Sequence, residues 1–342
     1  MCGIVGYVGK EECADILVEA LRRLEYRGYD SAGIAVFEGD RIKTVKAKGK
    51  ICPEEGEGKG TGLMAKLEAE GKPVGTCGIG HTRWATHGEP SDINSHPIGN
   101  GRVSIVHNGI IENYRELKAF LISKGYGFES ETDTETVAKL LDYYYEGDPI
   151  DAITKALADI RGAYALGIIF REHKNKIYAV RKESPLIVGK GEGENFIASD
   201  VTAILRRTRN YYLLEPNEIA EITADTIKFY DLHRNPIEKE LHTATWDIEA
   251  AEKGGYEHFM LKEIHEQPSA VRNTVSPRIF DGLPRFEEEC GLSYEKIRSY
   301  KNIFIVGCGS AMHAGIVGKY IIEKLARVPV TVDIASEFRY RE

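Results

Sequence analysis

The strongest constraint on the fold lies at the start of the chain, where Cys2 is followed at once by an apolar strand. Once Met1 is removed, Cys2 carries both a thiol and the free α-amine. A thiolate is a strong nucleophile, and an α-amine titrates near pH ~8, so it can accept a proton at neutral pH. One residue then supplies nucleophile and base. The alternative is a chance cysteine before a buried strand, and Met1-Cys2 alone favours that alternative.

Composition limits the class of protein. A chain of 342 residues favours two domains, and a formal charge of −8 argues against a nucleic-acid or anionic-membrane partner. No apolar run approaches the roughly 20 residues of a membrane span, and the start does not read as a signal peptide. The cysteines form no CxxC pair, which predicts a reduced, cytoplasmic protein without disulfides or a zinc site. They are Cys2, Cys13, Cys52, Cys77, Cys290 and Cys308.

The first two thirds of the chain predict sheets covered by amphipathic helices. A helical stripe begins at Cys13, and further helices are expected after Asn113 and near Asp133, where Asp133 or Thr134 is the expected N-cap. The stretch 48–62 is interpreted as a solvated loop, and the strand from residue 103 is expected to stop at an Asn108-Gly109 turn. Strands are predicted over residues 4–8, 33–37, 78–82, 103–107, 164–170, 176–181, 186–188, 195–198, 218–222 and 226–230.

The last third has a different pattern. Residues 244–257 are polar and acidic, which predicts a hinge, and a helix is expected over 259–271. The chain then reads as strand, Gly-rich loop, helix 316–325 and strand 330–334, the start of a β-α-β domain that we expect to be incomplete. The loop lacks GxGxxG spacing, and its strand-loop-helix context favours a phosphate near Ser310.

Several polar residues supply what a thiol needs to attack an amide. Asn108-Gly109 offers a side-chain amide beside a backbone N–H. Arg83 offers a fork suited to a carboxylate, and Asp133 offers an anion for an ammonium group. Trp84 and His87 lie in a loop able to close over a site. His81, His96 and His107 are interpreted as ordinary loop or core histidines.

The motifs together resemble the class II glutamine amidotransferases, and within them the glutamine–fructose-6-phosphate aminotransferase family. In the first part they are Cys2-Gly3-Ile4-Val5-Gly6, Tyr26-Arg27-Gly28-Tyr29-Asp30-Ser31-Ala32-Gly33, His81-Thr82-Arg83-Trp84-Ala85-Thr86-His87-Gly88, His107-Asn108-Gly109 and Thr132-Asp133-Thr134-Glu135. In the last part they are Met260-Leu261-Lys262-Glu263-Ile264-His265-Glu266-Gln267-Pro268 and Cys308-Gly309-Ser310.

The resemblance implies an α+β chain. Residues 2–240 would form a four-layer αββα sandwich of the N-terminal-nucleophile (Ntn) hydrolase type, 241–257 a linker, and 258–342 an incomplete α/β sugar-isomerase (SIS) domain. Cys2 would attack the amide of L-glutamine, with Asn108 and Gly109 as the oxyanion hole. The resemblance assigns the substrate's α-carboxylate to Arg83, helped by Thr86 and His87, its ammonium to Asp133, and the lid to Trp84.

The resemblance also implies the partners. Ammonia would pass to fructose 6-phosphate, giving glucosamine 6-phosphate for amino-sugar synthesis, with no cofactor or metal and a homodimer for the full-length enzyme. The family often has Thr-Ser after Cys-Gly, whereas this chain has Ser310-Ala311, so only Ser310 is kept as a phosphate ligand. We expect this chain to hydrolyse glutamine without making glucosamine 6-phosphate by itself. The alternatives are a phosphoribosyl-pyrophosphate type of amidotransferase and a non-catalytic binding or regulatory fragment.

Overall fold

The structure is a computed structural model that describes residues 2–52, 61–99, 101–245 and 255–341. The chain divides into two compact units, Met1–Glu252 and Lys253–Glu342. Much of the predicted hinge at 244–257, and much of the predicted loop at 48–62, lie outside the described residues. The functional domain limits given above therefore remain predictions.

The first unit is built on two antiparallel sheets. The first has eight strands in the order β15-β11-β9-β10-β1-β4-β2-β3, and the second has seven in the order β14-β13-β12-β8-β7-β6-β5. The strands of the first sheet are β1 Gly3–Val8, β2 Ser31–Glu38, β3 Arg41–Lys48, β4 Cys77–Arg83, β9 Ile187–Lys190, β10 Asn195–Ala198, β11 Asn210–Leu213 and β15 His242–Thr243. Those of the second are β5 Ile98–Gly99, β6 Val103–Ile111, β7 Gly162–Phe170, β8 Ile177–Lys182, β12 Ile219–Ile222, β13 Ile227–Tyr230 and β14 Pro236–Ile237.

Three apolar cores separate four layers, as the resemblance implies. One core joins the first sheet to its helices, a second joins the second sheet to the remaining helices, and a third lies between the two sheets. The helices of the first layer are α1 Cys13–Arg22 and α2 Gly62–Glu70, and those of the fourth are α3 Tyr114–Ser123, α4 Asp133–Tyr144 and α5 Pro149–Asp159.

Strand β1 is central in its sheet and buried on both faces. Val5 and Tyr7 pack into the core beneath α1, while Ile4 and Val8 point into the core between the sheets. Successive side chains of a strand point to opposite faces, so a strand covered on both sides needs apolar residues at every position. This explains the unbroken apolar run after Cys2.

Two local predictions are wrong. Strand β6 does not stop at Asn108-Gly109 but continues to Ile111, because Asn108 pairs with Ala165 and Gly109 with Tyr164 of β7. The N-cap of α4 is neither Asp133 nor Thr134. It is Thr132, whose side chain accepts a hydrogen bond from the Glu135 N–H.

The second unit has its own small α/β arrangement. Strands β18 Ile303–Gly307 and β19 Val330–Ile334 pair in parallel, as expected of a β-α-β unit. The predicted Gly-rich loop is shorter than expected, because the connecting helix begins at Gly309 and Ser310 lies in its first turn. A two-stranded hairpin consists of β16 Ile279–Phe280 and β17 Leu283–Pro284. The helices are α6 Phe259–Val275, α7 Glu287–Cys290, α8 Tyr294–Ser299, α9 Gly309–Ala326 and α10 Ala335–Phe338.

A search of the described residues finds no helix with the length and apolar character needed to cross a membrane.

Candidate active site

A cavity of about 310 Å³ opens where β1, β4 and β6 lie close together. Seven of the eight residues predicted for the amide site line this cavity, and His87 does not. Its lining residues are Cys2, Arg27, Arg83, Trp84, Thr86, His96, His107, Asn108, Gly109, Ile110, Asp133, Thr134, Ser184 and Pro185.

Cys2 is held from two sides. Its Sγ accepts a hydrogen bond of 3.2 Å from the Trp84 backbone N–H, and its carbonyl oxygen accepts one of 3.0 Å from the Asn108 side-chain amide. Burial raises the pKa of the Cys2 thiol, while the Trp84 N–H and the nearby Arg83 oppose that rise. The thiol is therefore protonated at neutral pH, and its reaction requires a base.

A close backbone contact brings the Trp84 N–H to the sulfur. A Cβ at Gly28 would lie 2.7 Å from the Arg83 carbonyl carbon and 2.8 Å from the Trp84 nitrogen. Only glycine lets the turn at residues 26–28 lie against the end of β4 at this distance. The neighbouring Arg27 donates to the Ser199 carbonyl at 3.1 Å and pairs with Asp200 at 3.4 Å.

The orientation of the Asn108 amide is fixed by its hydrogen bonds. Its Oδ1 lies 3.0 Å from His81 Nε2, and its Nδ2 donates to the Cys2 carbonyl. An amide nitrogen carries two N–H groups, so one remains to serve a second acceptor. Asn108 lines the cavity beside Cys2, so its amide is able to donate to an acceptor bound there.

Gly109 adopts a backbone conformation that other residues avoid. Its φ is +129°, and a Cβ there would lie 2.7 Å from the Ala163 carbonyl carbon and 3.0 Å from the Tyr164 Cα. Glycine is therefore required for β6 to pair with β7 at this point. Gly109 itself is exposed to the cavity beside Asn108.

Arg83, the last residue of β4, lines the cavity and has one terminal nitrogen without a partner among the described residues. One terminal nitrogen donates to the carbonyls of His87 and Gly88, the latter at 3.2 Å. The other, Nη1, is buried without a hydrogen-bond partner in the described part of the chain. Burial lowers the pKa of Arg83, yet a guanidinium keeps its charge at neutral pH. Because Arg83 lines the cavity, its guanidinium is suited to pair with a carboxylate bound there.

Asp133 contributes a buried carboxylate at the first turn of α4. Its Oδ2 accepts the Ile111 N–H at 2.8 Å, which ties the start of α4 to the end of β6. Among the residues that the structure describes, the contact to its Oδ1 is a long one of 3.5 Å from the Thr134 hydroxyl. This second oxygen therefore retains capacity for a stronger donor such as an ammonium group.

His87 contacts Arg83 through its backbone, and its ring lies elsewhere. Its carbonyl receives the Arg83 side chain, while its imidazole packs edge-on against Tyr114 with ring centroids 5.6 Å apart. Trp84 is 47% exposed and packs against Tyr29. An exposed ring above a cavity is what a lid requires.

Sequence reasoning missed several residues of the cavity. Arg27 belongs to one of the sequence motifs, but the motif predicts no role for it. His96 and His107 are predicted to be ordinary loop or core histidines, because a single histidine in a sequence is weak evidence for a site. Ser184 and Pro185 come from the β8–β9 connection, far along the chain, and no motif marks them. Within the described ranges no cluster of three or more His, Cys, Asp or Glu residues is arranged to hold a metal ion.

The fold and this cavity define the class of Ntn-type amidotransferases. The family described as "Glutamine amidotransferase domain" matches residues 81–206, and the family described as "SIS domain" matches 296–342. Glutamine phosphoribosylpyrophosphate (PRPP) amidotransferase from B. subtilis, solved with ADP and GMP, superposes with a TM-score of 0.59 over 97% of this chain and 65% of its own. At 20% identity this supports the fold alone.

Over its whole length the chain is similar to proteins named glutamine–fructose-6-phosphate aminotransferase (isomerizing). It is 54% identical to the protein of that name from Clostridium acetobutylicum, and 48% identical to one from Thermus thermophilus. Both matches cover all of this chain and 55% of the relative. The chain thus spans about half the length of the curated relatives it matches.

Proposed function

We propose that this chain hydrolyses the side-chain amide of L-glutamine to glutamate and ammonia, with Cys2 as the nucleophile. The proposal is carried by one observation: Cys2, Asn108 and Arg83 line the same cavity. The Cys2 thiol is a nucleophile and the Asn108 amide is a hydrogen-bond donor, and cleavage of an amide needs both. The Arg83 guanidinium is suited to bind a carboxylate.

The reaction begins with removal of Met1, which frees the α-amine of Cys2. That amine takes the thiol proton, sulfur bonds to the δ-carbon of glutamine, and the carbonyl π electrons move to oxygen. The second Asn108 N–H and the Gly109 N–H stabilise this oxyanion. When the intermediate collapses, the α-ammonium returns its proton to the leaving nitrogen and ammonia departs. Water then cleaves the thioester, which gives glutamate and restores the thiol.

The remaining residues hold the substrate. The Arg83 guanidinium binds the α-carboxylate, and the Asp133 carboxylate binds the α-ammonium. Thr86 contributes from the cavity wall, and His87 acts by holding Arg83. Trp84 covers the site as a lid, which excludes water from the intermediate.

The whole protein, of which the chain spans about half by comparison with its relatives, is proposed to pass the ammonia to fructose 6-phosphate and form glucosamine 6-phosphate. Ser310, exposed at the start of α9, is proposed as one phosphate ligand. By the resemblance a homodimer is proposed for the full-length enzyme. A cytoplasmic location is proposed because the cysteine spacing fits reduced thiols.

The test is a glutaminase assay on protein whose N-terminus has been checked by mass spectrometry. Glutamate release should require the processed chain and should fall to background in Cys2→Ala. Cys2→Ser retains an oxygen nucleophile and should keep only a trace of activity. Equal rates in Cys2→Ala and the parent protein would rule out the proposed nucleophile.

A further inference from the structure

We propose that His81 is a positioning residue that holds the Asn108 amide in the orientation needed to bind the oxyanion. The inference rests on the proposed function, and it assigns a role to a histidine that the sequence alone classed as ordinary. His81 lies on β4 of the first sheet, whereas Asn108 lies on β6 of the second. Its Nε2 is 3.0 Å from Asn108 Oδ1 and 3.0 Å from the His107 carbonyl oxygen.

The direction of these hydrogen bonds follows from elementary chemistry. A carbonyl oxygen only accepts, so the His107 carbonyl requires a proton on His81 Nε2. The same N–H is then shared with Asn108, whose nearer atom must be the amide oxygen. The amide nitrogen is thereby turned toward Cys2, where one N–H meets the Cys2 carbonyl and the other is left for the substrate. Without the His81 N–H, Asn108 Oδ1 loses the hydrogen bond that holds the amide in this orientation.

The surroundings keep His81 in this one state. The side chain is fully buried, and its Nδ1 has no hydrogen-bond partner among the described residues. Burial lowers the pKa of His81 to about 3, although the hydrogen bond to Asn108 opposes the shift. The ring is therefore neutral at physiological pH, with its single proton on Nε2. Its centroid lies 4.3 Å from that of the His96 ring, which restricts its rotation.

A pair of substitutions separates a lost donor from a lost side chain. His81→Phe keeps a planar ring but removes the N–H, whereas His81→Gln retains an N–H close to the position of Nε2. Because removing an oxyanion donor costs roughly 100- to 1,000-fold in kcat, we expect His81→Phe to lower kcat for glutamine hydrolysis by about 10- to 100-fold. KM should change by less than about 3-fold, because the groups that bind the substrate equally well in the ground state and the transition state are unchanged. His81→Gln should recover most of the rate.

Ligand binding gives a readout independent of turnover. Glutamate γ-semialdehyde forms a thiohemiacetal with the Cys2 thiol, and this adduct carries an oxygen where the oxyanion develops. Glutamate forms no such adduct with the thiol. His81→Phe should weaken binding of the aldehyde by about the same factor as kcat/KM falls, as expected of a transition-state analogue. Binding of glutamate should be unchanged. Tyr178→Phe, which removes a buried hydroxyl on β8, serves as a control for general loss of packing.

The decisive measurement is a double-mutant cycle. If His81 acts through Asn108, the loss from His81→Phe should disappear in an Asn108→Ala background. Additive losses, or equal weakening of aldehyde and glutamate binding, would show that His81 only supports packing and would overturn the proposal. A failure of the proposed function is recognised separately, because Cys2→Ala would then retain full activity.

Discussion

Gly109 offers the sharpest test of how the sheet geometry supports the chemistry. The change Gly109→Ala adds one methyl group at a residue with φ of +129°. That methyl group would lie 2.7 Å from the Ala163 carbonyl carbon, whereas real Cβ contacts are essentially never below 3.0 Å. The pairing of β6 with β7 must therefore open, and the Gly109 N–H must move with it.

Two separate costs add up. A non-glycine residue at positive φ costs about 1–2 kcal/mol, and an extra methyl group in a packed region costs about 1–3 kcal/mol. The free energy of unfolding should thus fall by about 2–5 kcal/mol in total. Displacement of a catalytic donor by about 1 Å costs on the order of 100-fold in rate, so kcat for glutamine hydrolysis should fall by at least that factor.

Gly125→Ala is the matched control. Gly125 also has a positive φ, +92°, but nothing lies within 4 Å of a Cβ built there, and it is remote from the cavity. It should lose about 1–2 kcal/mol of stability from backbone strain and no activity. Urea unfolding gives the free energies, and glutamate release under folded conditions gives kcat. If Gly109→Ala were folded and within about 3-fold of the parent kcat, far from the loss expected of a displaced donor, the assignment of the Gly109 N–H would be refuted.

Two further outcomes are expected. Asp133→Asn should raise KM for glutamine by about 10-fold or more, because the charge opposite the ammonium is lost, whereas Asp142→Asn, at the far end of α4 and paired with Arg102, should leave KM unchanged in steady-state kinetics. Burial lowers the folded-state pKa of His81, His96 and His107, so below pH ~6.5 the unfolded chain binds protons that the folded chain does not. Stability should fall between pH 7 and pH 5, by up to about 1.4 kcal/mol per pH unit for each histidine. Urea titrations at pH 7, 6 and 5 measure this, and His81→Gln should reduce the slope by one proton; an unchanged slope would contradict it.

Much of the fold follows from local patterns. The apolar run after Cys2 predicted a strand buried on both faces, and the stripe beginning at Cys13 predicted α1, because both signals depend on periodicity within one element. Strand β3 was missed. It is rich in charged residues, among them Lys43, Lys46 and Lys48, and it is the edge strand of the first sheet. Edge strands are often charged in this way, and the pattern resembles a loop.

The turn signal at Asn108-Gly109 failed for a different reason. Asn-Gly is a strong local turn signal because both residues tolerate positive φ. Here tertiary pairing with β7 overrides that preference, and the glycine serves a strained position inside a strand. Some glycines are required by a turn, and others are required because another backbone segment lies close by. The sequence shows a glycine in both cases, and hydrophobic periodicity does not tell them apart. The sequence therefore singled out this pair of residues while mistaking their local structure.

The residues that complete the cavity could not be predicted because their roles depend on contacts between sheets. The role of His81 becomes visible only when β4 and β6 pack against each other, because its partner Asn108 is 27 positions away in the sequence. Ser184 and Pro185 reach the cavity only through the packing of β8 and β9. Hydrophobic patterns in one sequence indicate which side chains are buried, but they do not indicate which buried side chains contact each other.

The location of the proposed nucleophile, Cys2, has a structural reason. Cys2 immediately precedes β1 in the first sheet, and Asn108 belongs to β6 in the second, so the bond between them crosses from one sheet to the other. That bond exists only when the apolar core between the sheets, which includes Ile4 and Val106, is packed. The chain end is thus held by a fully buried central strand rather than by a loop. Rigid elements position catalytic groups more accurately than loops do, which suits the proposed role of the Cys2 α-amine as a base.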